Sequence, residues 1–191
     1  MIEKATAIER KSITSELKID DKLIIQVSAF REQKDQLTLI RAMALLPDYT
    51  KLLLVGEGVM LPFCERLTKE LKLEKRVFFL GIRTDVPNLL KSSDIIVLSS
   101  HYEGLSLASI EGMASSKPFV ASDVPGLSDL VSGVGVLFPL GNEKKLASII
   151  NKLLDNKEYY NKVVNSCLQE SKNYDIKIMV DNYINVYRNI I

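Results

Sequence analysis

The sequence predicts an α/β protein built on an open, Rossmann-like parallel sheet of about six strands, with helices on both faces and further helices at the carboxy terminus. Two observations support this fold class. Short, nearly continuous apolar runs recur along the chain, as is typical of strands that are covered on both faces. Amphipathic segments with helical spacing separate these runs, and strands that alternate with helices form right-handed βαβ units in a parallel sheet.

The predicted strands are the six apolar runs, at residues 23–28, 51–56, 77–80, 94–100, 118–122 and 135–138. The predicted helices of the core lie between them, at residues 34–46, about 63–73, 86–93 and about 106–115. The first helix has apolar residues at Leu37, Ile40 and Met43, which is helical spacing. The apolar stripe of the second begins at Phe63 and Leu67.

The ends of the chain differ from this core. We expect residues 1–20 to form a charged helical lead-in or linker and residues 21–141 to form the βα core. The strand patterns then stop, and helical patterns follow at residues 143–155, 158–172 and 176–190. The last one carries an apolar stripe, at Ile176, Met179, Val180, Tyr183, Val186 and Tyr187. Residues 1–191 therefore form one domain with a helical end over residues 142–191, and the stripe should dock on some surface.

Composition and charge exclude several classes of function. Lys and Arg number 25 and Asp and Glu number 24, and a net charge of +1 argues against nucleic-acid binding. Cys64, Cys167 and the single histidine, His101, lack the spacing of a zinc site, so we expect reduced thiols and no metal. No apolar run reaches the ~20 residues that span a bilayer. The amino terminus is charged where a signal peptide needs an apolar core, which predicts a cytoplasmic protein.

Three loops should lie at the carboxyl ends of the strands, where ligands bind in open α/β sheets. The first contains Gly56 and Gly58, between a buried strand and a helix, and glycines there allow positive φ and close approach to a ligand. It resembles the start of a dinucleotide fingerprint, but Leu61 stands where the third glycine belongs and Arg76 where an acid is expected. A tight turn without a ligand explains this loop equally well.

The second loop leads into the predicted helix at about residue 106 and contains two glutamates, Glu103 and Glu111. A helix amino terminus has free amides and a dipole that favours an anion. The amides in question belong to Gly104, Leu105, Ser106 and Leu107. A phosphate could bind there, with a carboxylate on either side to accept hydrogen bonds from sugar hydroxyls. This interpretation requires an open crevice and carboxylates that are not buried in salt bridges; otherwise one glutamate is a dipole partner and the other is solvated.

The third loop, at residues 81–85, follows the strand that ends near Leu80. It brings Gly81, Ile82 and Arg83 to the same edge of the sheet. The loop offers backbone groups and one cation to a ligand. An ordinary surface loop is the alternative.

These segments together resemble glycosyltransferase family 4. The donor-binding signature of that family is similar to VLSSHYEGLSLASIEGMASSKPFVASDVPGLSDLV. Four further segments agree in order and spacing, namely VSAFREQKDQLTLIRAM, LLLVGEG, RVFFLGIRTDVPNLLKSSDIIVLSS and GVGVLFPLGNEKKLA. The resemblance covers about residues 8–155 and implies the donor-binding, carboxy-terminal half of a retaining enzyme with the two-domain GT-B fold. The segments FREQKDQ and LGIRTDVPNLL resemble the branch associated with bacterial capsular and other surface polysaccharides.

The resemblance implies roles for individual residues. Glu111 would bind the ribose hydroxyls of the donor, and Glu103 would face the transferred sugar. Lys34 would neutralise the charge of the leaving diphosphate. Most members have an arginine five residues before that lysine, where this chain has Ala29. Arg31 is close by but not at the matching position, which leaves a two-cation clamp in doubt.

The loops take the remaining implied roles. The amides of residues 104–107 would hold the diphosphate or a sugar hydroxyl. Gly56 and Gly58 would let the diphosphate approach, and Gly81, Ile82 and Arg83 would pack around the nucleotide base. Without the resemblance, we would expect Lys34 and Arg83 to be solvated side chains. No catalytic role is assigned to His101.

The implied enzyme binds a UDP-sugar or GDP-sugar, needs no metal or other cofactor, and transfers the sugar to a hydroxyl of a polysaccharide, lipid-linked or other acceptor. The acceptor would bind an amino-terminal domain, and no segment before Leu23 is long enough to be one. We therefore expect the isolated chain to bind nucleotide but to turn over slowly or not at all. The full-length enzyme would be cytoplasmic, with peripheral association at the inner face of the membrane.

Three alternatives remain at this point. An epimerase acting on nucleotide sugars could share the architecture, although the paired glutamates favour transfer. A non-catalytic nucleotide-binding or scaffold module would keep the site without the chemistry. A dehydrogenase that uses NAD is disfavoured by the missing third glycine and acidic residue.

Overall fold

The computed structural model describes residues 2–188. Its centre is a six-stranded sheet in which every pairing is parallel. The strands are β1 (Lys22–Val27), β2 (Thr50–Val55), β3 (Val77–Phe79), β4 (Ile95–Leu98), β5 (Phe119–Ser122) and β6 (Val136–Phe138). Each lies within two residues of the start and end predicted from the apolar runs. The Rossmann-like α/β class is therefore confirmed.

Nine α-helices follow in the described part of the chain. They are α1 (Arg10–Ile13), α2 (Gln36–Met43), α3 (Leu61–Glu70), α4 (Val86–Ser92), α5 (Leu107–Ala114), α6 (Leu127–Val131), α7 (Glu143–Asp155), α8 (Lys157–Ser171) and α9 (Ile176–Arg188). Helix α6 has only five residues and was not predicted, because its pattern is too short to show helical spacing.

The order of strands in the sheet is β3-β2-β1-β4-β5-β6. The chain moves outward from β1 to β3 and then returns to pair β4 with the other side of β1. Only two residue pairs join β1 to β4, Ile24 with Ile95 and Ile25 with Ile96. This reversal is the topological switch point, where the loops diverge and leave a crevice at the carboxyl ends of the strands.

Residues before β1 differ from the predicted helical lead-in. Only the 3₁₀ turn Ile2–Lys4 and the four residues of α1 are helical there. The segment is instead held to the amino-terminal end of β4. The amide of Ile8 donates to Ser92 Oγ at 2.8 Å, and Arg10 Nη2 lies 3.2 Å from Asp94 Oδ2. The lead-in is therefore mostly non-helical and packs onto the sheet. Hydrogen bonds and an ion pair to residues 92 and 94 hold it in place of the local hydrogen bonds of a helix.

The first two core helices also differ from their predicted bounds. A 3₁₀ turn at Glu32–Lys34 precedes α2, because Asp35 adopts a φ of 42° and caps the helix through Thr38. In α3, Phe63 is half exposed, whereas Cys64 is buried. Phe63 is therefore wrongly placed in the predicted stripe, because Cys64 occupies the buried face, whereas Leu67 packs against the core as predicted.

The final helix, α9, contacts little of the domain. None of its residues from Ile176 to Arg188 is buried. The predicted apolar stripe is exposed to solvent, and Ile176, Tyr183 and Tyr187 are each more than half exposed. Residues 189 and 190 of that predicted helix lie outside the described residues. No helix among residues 2–188 combines the length and the apolar character that crossing a membrane would require.

Candidate functional site at the switch point

The loop after β2 is fixed by contact with the loop after β1. Gly56 and Gly58 have φ values of 134° and 152°, and a Cβ on them would overlap the carbonyl oxygens of Ser28 and Phe30. The amide of Phe30 donates to the carbonyl of Glu57 at 2.9 Å. Glycine is therefore required here for close packing of two loops at the crevice, in addition to any approach of a ligand.

The two residues for which catalytic roles were predicted meet in this crevice. Lys34 Nζ lies 2.5 Å from Glu103 Oε1, although the residues are 69 positions apart in sequence. The side chains are 19% and 8% exposed, respectively. The expectation that both carboxylates stand open to ligand hydroxyls is therefore wrong for Glu103. Its partner, however, is the other predicted catalytic residue, so the charge pair lies within the candidate site.

Three further residues shape the surroundings of Glu103, and sequence reasoning missed all of them. Ser100 Oγ donates to Glu103 Oε1 at 2.6 Å, and Ser122 Oγ in turn donates to the carbonyl of Ser100. Gly126 has a φ of 82°, and a Cβ there would overlap the carbonyl oxygen of Glu103. Ser100 is adjacent to the predicted motif, but the contact of Gly126 is a long-range one that no local pattern signals.

The amino terminus of α5 has the free amides that the sequence predicted. Ser106 is the N-cap, and its Oγ accepts from the amide of Ser109 at 3.4 Å. Within residues 2–188, no hydrogen-bond acceptor faces the amides of Gly104, Leu105, Ser106 or Leu107. The side chains of Leu105 and Leu107 are exposed, and a Cβ added at Gly104 would meet open space. This turn is therefore accessible and has unpaired donors.

Glu111 occupies the second turn of α5 and is half buried. Among the hydrogen bonds and ion pairs of the described residues, none involves its carboxylate. The two predicted carboxylates therefore differ. Glu103 is held by protein groups, whereas Glu111 keeps its acceptor capacity for a ligand.

The loop after β3 joins the site through its backbone. The amide of Gly56 donates to the carbonyl of Gly81 at 2.9 Å, and Gly81 has a φ of 63°. Ile82 is 72% exposed. Arg83 makes a bidentate pair with Asp85, at 2.8 and 2.7 Å, which raises the pKa of Arg83 and lowers that of Asp85. The guanidinium is thus already engaged, which the sequence did not indicate.

Two other side chains near the crevice, Arg31 and His101, also have defined places. Arg31 is exposed and lines a pocket with His101 and Met60. His101 Nε2 lies 3.4 Å from Asp35 Oδ2, so the histidine has a structural partner. In the stretch 2–188, no cluster of three His, Cys, Asp or Glu side chains is arranged to hold a metal ion.

Comparison with known proteins agrees with the fold and identifies the family. Residues 8–167 match the family described as Glycosyl transferases group 1. An N,N'-diacetylbacillosaminyl-diphospho-undecaprenol alpha-1,3-N-acetylgalactosaminyltransferase of Campylobacter jejuni is 28% identical over 178 residues. That alignment covers 92% of this chain and 47% of the relative, so the chain spans about half the length of the curated relatives that it matches.

Two solved structures are similar in fold. HepE from Anabaena, in complex with UDP-glucose, has a TM-score of 0.83 and 25% identity, over 90% of this chain and 50% of that one. The carboxy-terminal domain of a group 1 glycosyl transferase (LpcC) from Francisella tularensis has a TM-score of 0.75 and 22% identity, over 90% of this chain and 96% of that one. With the family match over most of its length, the chain belongs to the group 1 glycosyl transferases and has the Rossmann-like fold of their GT-B structures.

Proposed function

We propose that this domain binds a nucleoside-diphosphate sugar at the switch point and serves as the donor half of a retaining glycosyltransferase. One observation carries the proposal. The cation of Lys34 lies against Glu103, and the run of unpaired amides begins at the next residue, Gly104. A cation and several amide donors at a helix amino terminus are the groups that bind a phosphate.

Different groups of the site would bind different parts of the nucleotide sugar. The amides of residues 104–107 and Lys34 would bind the diphosphate, and Glu111 would accept hydrogen bonds from the ribose. Glu103 would turn to the hydroxyls of the transferred sugar once phosphate competes for Lys34. Gly56 and Gly58 would let the diphosphate approach the loop after β2, and the loop at Gly81, Ile82 and Arg83 would border the base.

The chemistry then depends on the leaving group. The bond from the anomeric carbon to the diphosphate oxygen breaks, and a bond to the acceptor oxygen forms on the same face of the sugar. The proton of the acceptor hydroxyl passes to the departing diphosphate. Negative charge grows on the departing diphosphate. Hydrogen-bond donors that already point at that charge stabilise the transition state more than they stabilise the bound nucleotide sugar. Lys34 and the α5 amides would accelerate transfer in this way. No metal or cofactor is required in this scheme.

The relatives guide the choice of donor and acceptor. The similar HepE structure holds UDP-glucose, so a UDP-sugar is the first donor to test, and a GDP-sugar the second. The similar Campylobacter enzyme is named for a diphospho-undecaprenol acceptor. We infer a lipid-linked or polysaccharide hydroxyl as acceptor, in bacterial surface-polysaccharide synthesis at the cytoplasmic face of the membrane.

The acceptor would bind a second domain, in keeping with the coverage of only 47% of the Campylobacter relative. The apolar stripe of α9 would dock on that domain, because a large exposed apolar patch is typical of an interaction surface. The isolated chain would bind donor and turn it over slowly or not at all.

Calorimetric titration of the 191-residue chain with UDP and with GDP tests the proposal. We expect one of them to bind, and Lys34→Ala to weaken it by about ten- to a hundredfold, the range of a hydrogen bond to a charged group. Lys51→Ala is the matched control, because Lys51 Nζ donates to the carbonyls of Asp48 and Lys75, away from the crevice. Absence of binding by both nucleotides, or equal binding by Lys34→Ala, would contradict the proposal.

A further inference from the structure

A group of polar side chains is buried beneath the loop that carries Lys34. Gln26 on β1, Gln36 on α2 and Ser99 after β4 are each no more than 2% exposed. Gln26 interrupts the buried apolar run of β1, and Ser99 directly follows β4, at the point where these two strands diverge. Burial of an amide or hydroxyl is costly unless it is hydrogen-bonded, so these side chains need a compensating role.

Their partners are backbone carbonyls of the loop at residues 29–35. Gln26 Nε2 donates to the carbonyl of Lys34 at 2.9 Å. Ser99 Oγ lies 2.8 Å from the carbonyl of Asp35, 3.1 Å from that of Lys34 and 2.9 Å from Gln26 Oε1. A hydroxyl has one hydrogen, so Ser99 shares its bond among these three acceptors. The carbonyls of Lys34 and Asp35 are thereby hydrogen-bonded to β1 and to the residue after β4.

The other end of the loop is tied in the same way. Gln36 Nε2 donates to the carbonyl of Ala29 at 2.9 Å and lies 3.0 Å from Ser28 Oγ. Between the two attachments, the chain makes a 3₁₀ turn and places Asp35 at a φ of 42°. The amides of Lys34 and Asp35 form this turn by donating to the carbonyls of Arg31 and Glu32, and the buried side chains add further hydrogen bonds from outside the loop.

We infer that Gln26 and Ser99 are positioning residues for Lys34, a role that rests on the proposed function of that lysine. Both are 1% exposed, so neither reaches the donor. They act by fixing the backbone of Lys34, so that its long side chain starts from one place and loses less freedom when it binds phosphate.

Two measurements on Ser99→Ala test the inference. The first needs no ligand: amide hydrogen exchange of residues 30–35 should become faster, whereas exchange in β2 and β5 stays the same. Ser93→Ala is the matched control, because Ser93 is equally buried at the other end of β4 and donates to the carbonyl of Leu89 at 2.9 Å. Unchanged exchange in the loop of Ser99→Ala, or an equal change in Ser93→Ala, overturns the inference.

The second measurement is a double-mutant cycle with UDP as the probe. Ser99→Ala should lower the affinity for UDP by about fivefold, which is within the range of one neutral hydrogen bond. In the Lys34→Ala background, the same substitution should change UDP affinity by less than about twofold, because the group that Ser99 positions is gone. Gln26→Met should give the same pattern if Ser99→Ala folds poorly.

The cycle separates two kinds of failure. If Ser99→Ala lowers the affinity for UDP equally in the wild-type and Lys34→Ala backgrounds, the serine acts on the site in another way and the positioning role is overturned. If Lys34→Ala binds UDP as tightly as the wild-type chain, the proposed function of Lys34 itself is overturned. The inference about Gln26 and Ser99 then falls with it.

Discussion

Lys34 Nζ and Glu103 Oε1 lie 2.5 Å apart and join the loops after β1 and β4 across the switch point of the sheet. Ser100 donates to the same carboxylate oxygen at 2.6 Å. The cation best placed to bind a phosphate is thus already neutralised by a carboxylate of the same site. In the proposed site, a donor phosphate would have to compete with Glu103 for Lys34, and this competition would lower the affinity for nucleotide.

Glu103→Gln should therefore bind UDP more tightly than the wild-type chain, by about three- to tenfold. The amide keeps the shape and the acceptor for Ser100, but it removes a negative charge that both occupies Lys34 and repels the diphosphate. The free energy of unfolding should fall by about 1–3 kcal/mol, because a partly buried cation loses its ionic partner. Calorimetry with UDP and urea denaturation measure the two effects.

Glu57→Gln is the control for this variant. Glu57 lies in the neighbouring loop after β2 and is exposed, so its removal changes the net charge equally but frees no cation. We expect UDP affinity to change by less than about twofold, as is usual for a screened surface charge. Equal gains in both variants would show a general charge effect and contradict the competition.

The contact between Gly126 and Glu103 gives a second prediction, because Gly126 supports the turn that carries the free amides. Gly126→Ala should lower the free energy of unfolding by more than Gly133→Ala does, by at least about 1 kcal/mol. Both glycines have positive φ, at 82° and 75°, so both alanines carry a backbone cost of at least about 1 kcal/mol. Only at position 126 would the added Cβ also overlap a carbonyl oxygen.

Nucleotide affinity should separate these two variants as well. Gly126→Ala displaces the carbonyl of Glu103 and with it the turn at Gly104, so UDP binding should weaken by about tenfold or more, as expected when several aligned donors are misplaced. Gly133 faces open space, and its substitution should leave UDP binding unchanged. Equal UDP binding by the two alanine variants would show that the turn tolerates displacement.

The sequence predicted the fold well because its signals are local. The apolar runs at 23–28 and 94–100 mark β1 and β4 within two residues, and the helix predicted from about residue 106 is α5, with Ser106 as its N-cap. The pairing of Lys34 with Glu103 spans 69 positions and depends on strand order, which periodicity does not specify. The helical form expected for the lead-in at residues 1–20 was wrong for the same reason, since Ser92 and Asp94 bind this segment from a distance in sequence.

Stability should also decrease steeply at alkaline pH. Burial raises the pKa of Cys64 from 9.0 to about 12 and that of Cys167 from 9.0 to about 11. Above pH 9 the unfolded chain releases these protons while the folded chain keeps them. The free energy of unfolding is therefore unaffected below pH 9 and falls by about 1.4 kcal/mol per pH unit for each thiol between pH 9 and 11. Urea denaturation from pH 8 to 10.5 measures this slope.

Cys167→Ala isolates one of the two thiols. Its slope above pH 9 should be smaller than that of the wild-type chain by the contribution of a single group. A thiol reagent provides an independent measurement, because both cysteines are free and fully buried. At pH 8 labelling should follow unfolding of the chain. Rapid labelling of the folded protein, or an unchanged slope in Cys167→Ala, would show that burial does not control these thiols.

Deletion of residues 176–191 should leave the stability of the domain and its UDP affinity unchanged. Helix α9 contributes no buried residue over Ile176–Arg188, whereas α8 buries Val163 and Cys167 in the core. The midpoint of thermal unfolding should therefore shift by less than about 2 °C, which corresponds to at most about 1 kcal/mol for a chain of this size. Deletion from Lys157 onward is the contrasting variant and should unfold the domain, since it removes those core side chains.

The same deletion should change how the chain associates. The displayed stripe includes Met179, Val180 and Tyr183, which in water favours contact with any apolar surface. Sedimentation should show concentration-dependent association of the 191-residue chain and a monomer after deletion. If the deletion instead lowers the unfolding midpoint by 5 °C or more, α9 packs on this domain in solution. The stripe would then complete the core of this domain, and no second domain would be needed to cover it.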